Sequence, residues 1–250
     1  MKLNPMQLEA GKTIQQHHNV LLLSPTGSGK TLAYLLPLIA RIDASLDSLQ
    51  AVVVVPSREL AAQVEQVFKS QTNTSLRGLA LYGGRPTMEE HRRIREIRPQ
   101  VVFATPGRLR DMIRRNRVDF SRVRYMVLDE ADEMLNMGFQ EEVDAILEYM
   151  PEQKNTFLFS ATMPREVEAI LSKYMTDPVK VAVGQRNSGT VNVDHKYYMM
   201  AAKDRYSVLK RFIDYTPAVY GIVFCRTKLE TQEVADNLIR DGYNAAALHE

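Results

Sequence analysis

The 250-residue chain is 45% hydrophobic and 25% charged, with a formal net charge of +2, the balance of a globular protein of one or two domains with ample chain for a core. It contains no run of 18 apolar residues and opens on Met1-Lys2-Leu3-Asn4, so neither a membrane-spanning helix nor a secretory leader is expected. Its single cysteine, Cys225, rules out an intrachain disulfide; a reducing cytoplasm fits, and the neighbours Ile222, Val223 and Phe224 predict a buried strand residue without chemistry.

The first chemically informative element is Val20-Leu21-Leu22-Leu23, an apolar run that predicts a buried strand. Ser24-Pro25-Thr26-Gly27-Ser28-Gly29-Lys30-Thr31 follows it, and Leu32, Tyr34, Leu35, Leu36, Leu38 and Ile39 then predict a mostly apolar helix. Strand, glycine-rich loop and helix in this order form the context of a phosphate-binding loop. Gly27 and Gly29 let the backbone turn and bring its N–H groups up to phosphate oxygens. The helix opening at Lys30 adds its positive dipole end, Lys30 can neutralise the β- and γ-phosphates of a nucleotide, and the Thr31 hydroxyl can ligate Mg²⁺. The strict pattern has Gly where Ser24 stands, and the alternative is an ordinary turn before a core helix.

Further strands are predicted at Ala51 to Val55, Leu79 to Tyr82, Val101 to Ala104, Met126 to Leu128 and Thr156 to Ser160, with helical patterns between them, such as Glu59 to Lys69 behind a Ser57 N-cap. This alternation predicts a mostly parallel α/β sheet with helices on both faces and motifs at the strand ends. Asp129-Glu130-Ala131-Asp132 ends one such strand, where parallel sheets place ligands. There Asp129 can hold Mg²⁺ through its water shell and Glu130 can orient or deprotonate a water. The alternative, an acidic helix start that complements the dipole, suits Asp132 and Glu133. Between Arg85 and Arg124 stand twelve arginines against five acids, whereas Asp129 to Glu152 has nine acids and no Lys or Arg. Such an asymmetry fits either a phosphate-backbone surface around Arg108 or a solvated helix face. Gly184 to Thr190 is polar and aperiodic, so 184–192 is expected to link a domain at 1–183 to a second at 193–250. In the second, strands are predicted near His195 to Met199, at Val219 to Cys225 and at Ala245 to Leu248, with helices at Lys203 to Tyr215 and Leu229 to Asp241. His17 and His18 have no second ligand pair nearby, so no metal beyond Mg²⁺ is expected.

Taken together and in order, these motifs resemble those of the DEAD-box RNA helicases. Asp129-Glu130-Ala131-Asp132 spells the family's name, and Ser24 to Thr31 is similar to its first motif, which usually opens on Ala. Pro56-Ser57-Arg58-Glu59-Leu60-Ala61, Gly83-Gly84 and Thr105-Pro106-Gly107-Arg108 resemble its RNA-side motifs, and Ser160-Ala161-Thr162 the one coupling nucleotide to RNA. Asn4-Pro5-Met6-Gln7 resembles the segment whose glutamine reads adenine. The resemblance implies a RecA-like P-loop domain and a partial second RecA-like lobe. It implies ATP held by Gln7 and by Ser24, Pro25, Thr26, Gly27, Ser28, Gly29, Lys30 and Thr31, with Mg²⁺ on Thr31 and Asp129. Catalytic roles fall on Lys30, Asp129, Glu130, Ser160 and Thr162, and RNA contacts on Pro56, Arg58, Gly83, Gly84, Thr105, Pro106, Gly107 and Arg108. Glu250 stands where the family has Gly, and the family's late motifs and arginine finger are not among these residues. The expectation is therefore a fragment that binds ATP·Mg²⁺ and the backbone of single-stranded RNA or a short duplex, with unwinding dependent on further sequence. A nucleotide- and RNA-binding module without useful turnover, and a DNA helicase of related architecture, are the alternatives.

Overall fold

In the computed structural model, residues 3–72, 76–84, 86–182, 194, 196–216 and 220–248 are described. The chain divides into two compact units, Met1–Val191 and Asn192–Glu250. The expected linker, 184–192, lies outside the described residues.

The first unit is built on short strands rich in Val, Leu, Ala and Phe. They are β1 (Asn19–Leu23), β2 (Ala51–Val54), β3 (Gly78–Leu81), β4 (Val101–Ala104), β5 (Tyr125–Leu128), β6 (Asn155–Ser160) and β7 (Val179–Ala182). They pair in parallel in the order β3-β4-β2-β5-β6-β1-β7. Because side chains alternate along a strand, β1 to β6 each feed two cores. Val52, Val54, Val102, Met126, Leu128 and Leu158 face one, and Ala51, Val53, Val101, Phe103, Val127 and Phe159 the other. Helices α5 (Pro106–Arg114), α6 (Ala131–Asn136), α7 (Gln140–Tyr149) and α8 (Arg165–Tyr174) contribute buried side chains to the first core, among them Leu109, Met134, Ile146 and Ile170. The second receives Ile14, Leu35 and Phe68 from α1 (Pro5–Gln16), α2 (Lys30–Ile39) and α3 (Arg58–Gln71). Helix α4 (Thr87–Ile97) lies between β3 and β4 in the chain. Among the described residues no helix is long and apolar enough to cross a membrane.

In the Asn192–Glu250 unit the two expected helices form, as α9 (Arg205–Tyr215) and α10 (Lys228–Arg240). The three strands expected there do not: the described residues 196–200, 220–225 and 244–248 make no ladder. Phe224 is 91% exposed and Cys225 only half-buried, so the buried-strand reading of Cys225 is corrected. A parallel strand is stabilised by neighbours on its edges, and no described segment supplies one here.

Candidate functional site

Where β1 ends, Ser24 N–H donates to the Ser160 carbonyl at 3.0 Å, carrying the β1–β6 ladder into the glycine-rich loop. Gly27 and Gly29 have φ of 79° and 91°, a left-handed backbone that glycine adopts without a Cβ penalty. Lys30 opens α2, is buried, and reaches back across the loop to donate to the Ser24 carbonyl at 3.1 Å. The Ser24 hydroxyl, at the position where the motif departs from pattern, donates to the Ser28 hydroxyl at 2.7 Å and closes the loop.

Helix α1 is tied to this loop. Asn4 and Gln7 cap α1 reciprocally, and the same side chains donate to the Ser28 and Gly29 carbonyls at 3.0 and 3.1 Å. A Cβ on Gly29 would stand 2.5 Å from Gln7 Nε2, so this glycine is required by proximity as well as by φ. Gln7, expected to read adenine, is seen to brace the glycine-rich loop; the bracing role of Asn4 was not read from sequence.

The acids come from β5. Asp129 is 2% exposed, and its Oδ2 accepts from the Tyr34 hydroxyl of α2 at 3.0 Å, while Oδ1 has no partner. Burial pushes the Asp129 carboxyl up to about 6, against the opposing pull of the Tyr34 bond and the Lys30 charge. Burial and the Asp129 charge in turn push the Tyr34 phenol well above its ordinary value. Glu130 caps α6 in the left-handed region, with φ of 54°, a conformation that costs a non-glycine residue and is enriched at functional sites. Asp132 accepts from Thr162 N–H at 2.9 Å and from the Thr162 hydroxyl at 2.6 Å, while the Ser160 hydroxyl donates to the Thr162 carbonyl at 2.7 Å. Burial alone would raise the Asp132 carboxyl, but the hydrogen bonds from Thr162, Ser160 and Ala161 hold it below its ordinary value. Asp132 therefore fastens the β6 loop to the β5 acids, beyond the dipole role its position suggested.

These groups suit a phosphate–metal pair. A buried carboxylate oxygen without a donor, within the field of the Lys30 charge, is an acceptor in need of a cation. Among the described residues no group of three His, Cys, Asp or Glu is placed to hold a metal ion by itself, so a hard cation here would complete its shell with phosphate oxygens and water, as Mg²⁺ does.

The remaining motifs end the neighbouring strands β3, β4 and β2. Buried Pro56 follows β2, and Arg58 opens α3 with its side chain exposed. A Cβ on Gly83 or Gly84 would meet the Arg58 guanidinium at 3.6 or 3.0 Å. Thr105 caps α5, Pro106 occupies its first turn, and Gly107 is open, with nothing within 4 Å of an added Cβ. Arg108 is committed within the protein: its side chain is 10% exposed, and Nε lies 2.5 Å from Glu90 Oε2 and Nη1 3.1 Å from Thr87 Oγ1. Glu90 is fully buried, and sequence reading gave no sign of it, because an acid among arginines resembles a solvated face.

The DEAD/DEAH box helicase family model matches residues 4–170. The chain is 37% identical over 246 residues to an ATP-dependent RNA helicase CshA of Limosilactobacillus reuteri, spanning 98% of this chain and 49% of that protein. It is 39% identical over 251 residues to an ATP-dependent RNA helicase DeaD of Escherichia coli (strain K12), spanning 99% and 40%. A crystal structure of a DEAD box protein from the hyperthermophile Methanococcus jannaschii superposes with a TM-score of 0.65 at 33% identity, over 100% of this chain and 72% of the other. The chain thus spans half or less of the length of these two curated relatives.

Proposed function

This chain belongs to the DEAD/DEAH box helicase family, and on that premise we propose that it is the ATP·Mg²⁺- and RNA-binding portion of an ATP-dependent RNA helicase. We take 1–183 as the first RecA-like domain, 184–192 as the linker and 193–250 as the start of the second. The observation that carries the reading is the sheet order: phosphate loop, acids and the Ser160-Ala161-Thr162 turn end three adjacent strands, β1, β5 and β6. The RNA-side motifs end three others, β2, β4 and β3, on the same edge.

In this reading the loop amides and Lys30 hold the phosphates, and Gln7 meets adenine while bracing the loop. Thr31 and Asp129 hold Mg²⁺, which when bound neutralises charge building on the phosphates. Glu130 orients the attacking water and takes its proton. The Asp132–Thr162 bonds transmit a change at the acids to the β6 loop. On the other half, Arg58 and the N–H groups opening α3 and α5 hold a few phosphates of one strand. An arginine finger is worth about 10³–10⁵ in rate. The partial span of the relatives supports the view that turnover and duplex separation draw on sequence beyond these 250 residues.

Titration of labelled single-stranded RNA and matched DNA, with and without a non-hydrolysable ATP analogue, tests this. RNA should bind weakly, with a salt slope of roughly −0.7 per neutralised phosphate, and the analogue should not tighten it. Tightening by about tenfold or more would show a working clamp within this chain. Equal response to DNA would favour the DNA-helicase reading.

A further inference from the structure

We infer that Tyr34 is a positioning residue for the metal-binding side of the nucleotide site, an inference that rests on the ATP·Mg²⁺ reading above. Its hydroxyl fixes the Asp129 carboxylate so that one oxygen is engaged and the other is presented to the cation.

Tyr34 lies one helical turn beyond Thr31 on α2, with its side chain fully buried. Its ring packs on Phe159 with centroids 5.0 Å apart at 59°, so the phenol oxygen has one place to be. Phenylalanine would fill the same space, and burying a hydroxyl costs free energy unless it is hydrogen-bonded. The bond it makes is to Asp129 Oδ2, at 3.0 Å.

A tyrosine hydroxyl has one proton to give. That proton goes to Asp129 Oδ2. The direction of the bond is fixed, from the Tyr34 hydroxyl to the carboxylate oxygen Oδ2. It leaves Asp129 Oδ1 uncommitted, the buried oxygen without a hydrogen-bond partner. The candidate metal ligand Asp129 is thereby oriented by one hydroxyl. Without it, the broad two-fold torsion of an aspartate carboxylate would be free to turn.

Tyr34→Phe in the 250-residue chain is the test, read with a fluorescent non-hydrolysable ATP analogue in excess EDTA and in Mg²⁺. The ratio of the two affinities is the Mg²⁺ enhancement. It should fall about 10- to 100-fold, the range for removing a group that orients a metal ligand, while the affinity in EDTA stays close to wild type and the unfolding midpoint drops only as far as the loss of one hydrogen bond to a buried carboxylate requires. In an Asp129→Asn background the same change should have no further effect, because Tyr34 acts through Asp129. Wild-type enhancement in Tyr34→Phe, or equal losses with and without Mg²⁺, would overturn the inference and leave a packing role. If the unaltered chain itself shows no nucleotide binding or no Mg²⁺ enhancement, the nucleotide reading falls and this inference with it.

Discussion

The two halves of the sheet's C-terminal edge are built differently. On β5, β6 and β1 the charged groups are buried and cross-bonded: Lys30 to the loop, Asp129 to Tyr34, Asp132 to Thr162. On β3, β4 and β2 the site offers helix N-termini, glycines and the exposed Arg58, while its other motif arginine, Arg108, is tied to Glu90. A low-dielectric, pre-bonded half suits one compact ligand of fixed charge geometry. A half made of backbone donors suits a polyanion that is held by its phosphates and not by its bases.

The largest effect expected from this contrast lies in the half that looks weaker. Arg108→Ala strips a buried carboxylate of its partner and should cost about 3–5 kcal/mol of stability, read as a lowered urea midpoint. An unchanged midpoint with lost RNA affinity would instead make Arg108 an ordinary phosphate contact.

Next is Asp132→Asn, which converts an acceptor of two Thr162 bonds into a group that is half donor. About 1–3 kcal/mol should be lost near neutral pH. Because the folded Asp132 carboxyl is held below its ordinary value of 3.8, its stabilisation is present above that pH and disappears as pH falls through the lower folded value. The gap between wild type and variant should therefore narrow on acidification below that value; a gap constant with pH would contradict the ionised network.

Arg58→Ala should change least. With an exposed side chain, it should leave stability within about 0.5 kcal/mol and lower the RNA salt slope by roughly 0.7, with nucleotide affinity untouched. A shift in nucleotide affinity would mean the two halves are not separable.

The same contrast explains what the sequence made legible. Strands β1 to β6 were readable to within a residue, because two-sided burial writes them as continuous apolar runs such as Val52-Val53-Val54. Strand β7 was missed: Val179-Lys180-Val181-Ala182 is a short edge strand with only Val181 buried. In the Asn192–Glu250 unit apolar runs of the same kind, such as Tyr220 to Phe224, form no strand, since a run records a capacity for burial and not the presence of a ladder partner. At the site, the motifs placed the glycines, Lys30 and the acids on the right strand ends. What they could not show was the bracing between motifs, from Asn4 and Gln7 to the loop, Tyr34 to Asp129 and Glu90 to Arg108. Those pairs are separated by 18 to 95 residues and meet only once the sheet has formed.

A β1 loop that binds nucleotide phosphates around Lys30 should lose most of its affinity along with that one cation. Calorimetric titration of a non-hydrolysable ATP analogue with Mg²⁺ into the unaltered chain and into Lys30→Ala measures this loss. Removing one side of a buried charge pair costs about 2–5 kcal/mol, so the variant should bind at least about thirtyfold more weakly with its fold intact. Affinity within about twofold of the unaltered chain, a free-energy change of less than about 0.5 kcal/mol, would mean that Lys30 holds no phosphate and that the loop is not a nucleotide site.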